Sequence, residues 1–141
     1  TAVPCVYTTS NTSTIKMSMS GWDSTRLQAI GNEFFLDFFK AYPEEQLRFP
    51  KFAGVKHLPG NPAFEAQTLV VFEYLDKMVN NKEDAVQLFT IKTYDHKDRV
   101  GPNSWDRFLN YLPGFMVRYG GNAAEWADWC NELKKVVPPS C

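Results

Sequence analysis

Residues 87–105 read QLFTIKTYDHKDRVGPNSW and hold His96, one of two histidines in the chain. A helical pattern leads up to it through Ala85, Leu88, Ile91 or Lys92, and then Asp95. After it, the charged turn Lys97-Asp98-Arg99 gives way to Val100-Gly101-Pro102. Asn103-Ser104 then reads as the start of a new helix ahead of Trp105. A histidine at a helix end, followed at once by a stop and a new helix, is placed to hold a metal through its neutral imidazole. The same position suits a solvated cation at the negative end of a helix dipole. From this stretch alone the second reading leads, and the rest of the chain reverses the order.

Upstream, Glu83-Asp84 puts negative charge at the start of the His96 helix, where the dipole favours it. Before that, Asn61 as cap and Pro62 at the first helical position open the most periodic helix of the chain. Phe64, Gln67, Thr68, Val71, Leu75 and Met78 form one stripe of it, with Phe72 and Val79 beside, and Asn80-Asn81 ends it. Gln67 is a polar residue inside an otherwise apolar face. Further back, Asp23 or Ser24 caps a helix carrying Leu27, Ile30, Phe34, Phe35, Phe38 and Phe39, with Gly31 inside it. Pro43 ends that helix and can open a short turn, and the corner Leu47-Arg48-Phe49-Pro50-Lys51-Phe52 follows. His57 lies in the loop beyond it and reads as solvated. Thr12 or Ser13 can cap a short helix through Ile15, Met17 and Met19, ended by Gly21.

Downstream, the helix from Asn103 carries Trp105, Phe108, Leu109, Leu112, Phe115, Met116 and Tyr119, interrupted by Pro113 and stopped by Gly120-Gly121. Asn122 starts a last helix with Trp126, Trp129, Cys130, Leu133 and Val137. No strand pattern, repeat or low-complexity tract breaks the series, so the expected architecture is all-α, six to eight helices in a single domain over 1–141. Residues 1–11 read as an extended arm and 138–141 as a tail or linker.

The 141 residues suffice for one sizeable core, and aromatics at 15%, with 11 Phe, can fill it or line a flat apolar pocket. A net charge of −1 gives no reason to expect nucleic acid or an anionic membrane as partner, and no apolar run is long enough for a span. Cys5, Cys130 and Cys141 form no CxxC pair, which argues against zinc. The cysteines near the termini and the sequon Asn11-Thr12-Ser13 lean toward an oxidising, extracellular setting. The chain begins at Thr1 with no signal-peptide pattern, as a mature secreted chain or a fragment would.

Phe34-Phe35, Pro43, Phe49, and Gln67 with Val71 one turn on stand at a joint spacing that resembles the globins. The runs His96-Lys97-Asp98-Arg99-Val100, Leu112-Pro113-Gly114-Phe115-Met116 and Tyr119-Gly120-Gly121 are similar too. The likeness spans roughly 31–137 and is strongest to invertebrate globins of molluscan and annelid type, extracellular subunits or domains among them. It implies a globin fold enclosing haem b (iron protoporphyrin IX), with His96 as proximal ligand to the iron. Gln67 would take the distal place, with Phe35 and Val71 crowding the ligand, while Phe49 packs on the porphyrin. Phe52, Leu75, Val100 and Phe108 would complete the haem contact. By periodicity alone, Phe35, Phe49 and Val71 are core residues and Gln67 is a boundary residue bonded to backbone. The resemblance also implies a Cys5–Cys130 disulfide, worth up to ~5 kcal/mol in the chain-entropy model. Cys141 would then be left to join another globin subunit or domain, and Cys130–Cys141 is an alternative pairing.

The implied function is reversible O2 binding for transport or storage, not catalysis. The amide of Gln67 donates a hydrogen bond without bringing a charge, and it is a poor acid–base group for peroxidase, nitrite or NO chemistry. A sulfide-binding globin and a haem-free structural subunit compete with the carrier as well. The sequence departs from the family near the histidine. Lys92 stands four before it, where an apolar residue is usual, Val100-Gly101 replaces the usual Gly-Val, and Trp105 comes one position early. A one-residue slip of His96 on its helix, absorbed by a local bulge, would account for these departures.

Overall fold

The computed structural model describes residues 19, 21–80, 84–95 and 100–136. They form six α-helices and one 3₁₀ turn, with no strand among the described residues. The helices are α1 (Ser24–Ala41), α2 (Pro43–Gln46), α3 (Pro62–Asn80), α4 (Ala85–Asp95), α5 (Pro102–Met116) and α6 (Ala123–Lys134).

Local chemistry sets most of the boundaries. The Asp23 carboxylate accepts from the Arg26 amide at 2.9 Å and starts α1. Asn61 does the same for the Phe64 amide at 3.0 Å, with Pro62 in the first turn of α3. Asn122 accepts from the Glu125 amide at 3.1 Å and starts α6. α1 stops at Ala41 because Pro43 disfavours helical geometry at Tyr42, whose φ is −133°. α5 begins at Pro102 on Gly101, one residue before the expected Asn103, since proline needs no amide partner at the first position. Pro113 lies inside α5 without ending it. The last turn tightens into the 3₁₀ segment Val117–Tyr119, and Gly120 caps it at φ 90°. Gly121 follows against the Trp126 indole, and its amide donates to the Met116 carbonyl at 3.0 Å. α6 ends at Lys134, and Val137 lies outside the described residues.

Two helix pairs carry most of the packing: α1 against α3, and α5 against α6. Phe34, fully buried, is the hub between them. The rings of Phe35, Phe38, Phe72, Phe108, Tyr111 and Phe115 all lie with centroids 5.1–5.7 Å from its own, most of them edge-on. α1 therefore faces α3 on one side and α5 on the other, and α3 and α4 are left to wall a cavity.

Candidate functional site

α3 turns one face to that cavity. Gln67, Val71, Tyr74, Leu75 and Met78 line it at helical spacing, with Val70 beside them. Phe35 and Phe38 of α1 and Phe49 of the corner form a second wall. Phe89 and Lys92 of α4, then Val100, Ser104, Trp105 and Phe108, close the remaining sides. The cavity volume is about 270 Å³. An apolar cavity of ~150 Å³ already takes a benzene ring, so this one admits a larger aromatic body. Phe49, Val71, Trp105 and Phe108 are only partly buried, and a ligand filling the cavity would cover the surface they turn to it.

The structure thus gathers seven of the residues expected at the site: Phe35, Phe49, Gln67, Val71, Leu75, Val100 and Phe108. Phe52 is not among the lining residues. It is 3% exposed and stacks behind Phe49, with ring centroids 5.2 Å apart and planes at 10°, so it backs the wall that Phe49 forms. His57 is exposed in its loop and is not among the residues that line this cavity. His96, Cys5 and Cys141, and the sequon at Asn11, lie outside the described residues. Cys130 on α6 is a buried thiol, free among the described residues, and burial pushes its pKa up to about 12.

α4 differs from the pattern expected of it. Ala85, Phe89 and Thr93, four apart, are its buried stripe, and Ile91 points out at 49% exposure. Lys92 therefore keeps its place on the cavity wall, and Ile91 does not substitute for it. What makes a lysine tolerable there is Tyr74, whose ring centroid lies 4.3 Å from the Lys92 ammonium, a cation–π contact. The Tyr74 hydroxyl in turn donates to the Leu88 carbonyl at 2.6 Å and ties α3 to α4. Tyr74 could have been placed from the sequence, since it falls on the Gln67–Val71–Met78 face.

The cavity also has a charged end that the sequence did not reveal. Glu45 of α2 lines it at 3% exposure, and Arg107 of α5 donates to its carboxylate at 2.7 Å. Arg107 also meets Glu44 at 2.7 Å and stacks over the Tyr42 ring at 5.0 Å, while Arg48 lies 3.4 Å from Glu45. The backbone hydrogen bonds at the start of α2, with Arg107 nearby, hold the Glu44 carboxyl below its usual range. Ser104 is another polar group set deep in the wall. It is 5% exposed, and its hydroxyl has no hydrogen-bond partner among the described residues. A buried hydroxyl left so costs on the order of 1–3 kcal/mol, which a polar group brought by a ligand can offset.

An all-helical chain with an aromatic-walled cavity between α3 and α4 is one solution among several for helical bundles. The globin family model matches residues 32–137, which takes in every helix but the first turns of α1. The chain belongs to the globin family. Globins bind haem and, through it, diatomic ligands such as O2, and they are in general carriers rather than enzymes. The residues of this globin fit that group. The wall offers apolar contact from Phe49, Val71, Leu75 and Phe108, and cationic groups stand at its margins in Arg48 and Lys92 for a ligand that carries carboxylates.

Proposed function

We propose that this globin binds O2 reversibly, for transport or storage, at haem b held by His96. Haem supplies an iron with one coordination position left for a diatomic ligand. In this reading the side-chain amide of Gln67 donates a hydrogen bond to that ligand, and Phe35 and Val71 limit its room and exclude water. Phe49 bears on the ring, backed by Phe52. The observation that supports the reading best is convergence: Gln67, Phe35, Val71 and Phe49, from three segments of the chain, line one cavity. A bond from Gln67 to a ligand that draws electron density is worth about 1.5–3 kcal/mol in such surroundings. Carriage is favoured over peroxide chemistry because the polar group that α3 turns to the cavity is the Gln67 amide, which neither takes up nor gives a proton near neutrality. An extracellular setting belongs to the same proposal and rests on the cysteines and the sequon, and the molluscan and annelid likeness rests on the spacing of Phe35, Phe49, Gln67 and Val71.

Absorption spectra of the purified protein test it, with and without dithionite, in air and under CO. A Soret band that shifts reversibly with O2 and CO is expected, and its absence would sink the haem reading. His96→Ala is expected to lose haem, and normal retention would remove His96 as ligand. Gln67→Leu is expected to release O2 about 10–100-fold faster, by the loss of a hydrogen bond to a partly charged group; an unchanged rate would remove Gln67 from the account.

A further inference from the structure

The crossing of α1 and α3 holds a polar cluster in an otherwise apolar contact. The Gln28 amide nitrogen, with two hydrogens to donate, lies 2.8 Å from the Asn32 side-chain oxygen, 2.9 Å from the Glu65 carbonyl and 3.0 Å from the Thr68 hydroxyl. The Thr68 hydroxyl donates onward to the Asn32 side-chain oxygen and lies 3.1 Å from the Glu65 carbonyl. Thr68 is 1% exposed, so water does not compete for these bonds. Gly31 lies in the same crossing, where an added Cβ would come within 3.0 Å of the Thr68 carbonyl. The two backbones therefore approach closely where the polar cluster sits.

Apolar contact between the helices resists their separation but has no direction, and it leaves rotation of α3 about its axis weakly specified. Hydrogen bonds weaken steeply with angle and distance, so they specify that rotation. Thr68 is next in sequence to Gln67, about 100° around the helix. One residue faces α1 while the other faces the cavity. Turning α3 by ~10° would move a side-chain tip ~5–6 Å from its axis by about 1 Å. That is the difference between a hydrogen bond and none.

We propose that Thr68, with Asn32 and Gln28, is the positioning group that fixes Gln67 for its hydrogen bond to the bound ligand. The proposal rests on the distal role of Gln67. Thr68 touches no ligand itself and acts by holding the rotation of α3.

Thr68→Val keeps the shape and removes the hydroxyl, and Thr68→Ser keeps the hydroxyl. In the haem-loaded protein, stopped-flow O2 release and the infrared C–O stretch of the CO form are read for both, beside Gln67→Leu. Thr68→Val is expected to release O2 ~3–10-fold faster, as one weakened hydrogen bond allows. Its C–O stretch should move toward that of Gln67→Leu, while Thr68→Ser stays near the starting protein. Should Thr68→Val not fold, Asn32→Ala carries the same expectation. Wild-type release and stretch in Thr68→Val, even with a lowered Tm, would reduce the cluster to a structural role and overturn the proposal. Gln67→Leu tells the two failures apart. If it alters release and stretch while Thr68→Val does not, only the positioning role falls. If it alters neither, the distal reading falls and takes the positioning role with it.

Discussion

Tyr119 shows how little of a residue's behaviour its type conveys. Its hydroxyl donates to Glu33, and its ring lies 5.9 Å from that of Trp22, edge-on. Burial first, and then the Glu33 carboxylate, raise its pKa to about 12. The folded state thus favours the neutral phenol, so the contribution to stability is whole below ~10, the unfolded value. It is lost as pH rises through about 12, because over that interval the unfolded chain binds fewer protons. Urea midpoints measured across this range should fall with pH, and Tyr119→Phe should shallow the decline. Tyr111, also raised by burial, would keep a remainder. An equal slope in both proteins would show that Tyr119 ionises as in the unfolded chain. Glu44 and Glu45 make the same point about legibility. They are identical neighbours in the sequence, yet one side chain is 57% exposed and the other 4%. Arg107 decides between them from another helix, and no local pattern announces it. Gln67 was legible, because a polar residue on an apolar stripe is visible in the sequence. The bond that fixes its neighbour Thr68 was not.

Among the elements, α2 is too short to be stable by its own hydrogen bonds. It is held by the pairing of Glu44 and Glu45 with Arg107. Arg107→Met would leave the Glu45 carboxylate buried with Arg48 alone, so the expected result is a lower Tm. Adding Glu45→Gln should recover part of the loss, since the cost lies in the stranded charge. If the double variant is no more stable than the single one, the cost lies elsewhere. α4 packs less extensively on other helices than α1, α3, α5 or α6 does, and Phe89 and Lys92 spend part of their surface on the cavity. Its amides should exchange with solvent faster than those of α1 or α5 in the haem-free protein, and slow markedly once haem is bound. Uniform exchange across the helices would contradict this. Caps and prolines made the starts of α1, α3 and α6 readable in advance, because Asp23, Asn61 and Asn122 act on the next turn of the chain. The inner face of α4 was not readable. Ile91 and Lys92 compete for it, and the choice falls to Tyr74 across the helix pair.

The molecule as a whole hangs on Phe34. Six rings surround it, drawn from α1, α3 and α5. Phe34→Ala would leave a void that helices fixed by other contacts cannot close, at a cost of about 3–5 kcal/mol. Chemical denaturation measures it, and a loss under ~1 kcal/mol would mean that the core collapses around the gap. The all-helical class followed from the periodicity of α1, α3, α5 and α6, and the cavity from the spacing of a few residues among them. Gly120 and Gly121 look like one redundant pair in the sequence. Gly120 is there for its backbone angle, with nothing within 4 Å of an added Cβ, and Gly121 for space, since a Cβ would come within 2.8 Å of the Trp126 indole. A saturation library should separate them. Asparagine, which tolerates left-handed backbone, would survive at position 120, while position 121 would return glycine alone, so the two letters carry different information about what may replace them.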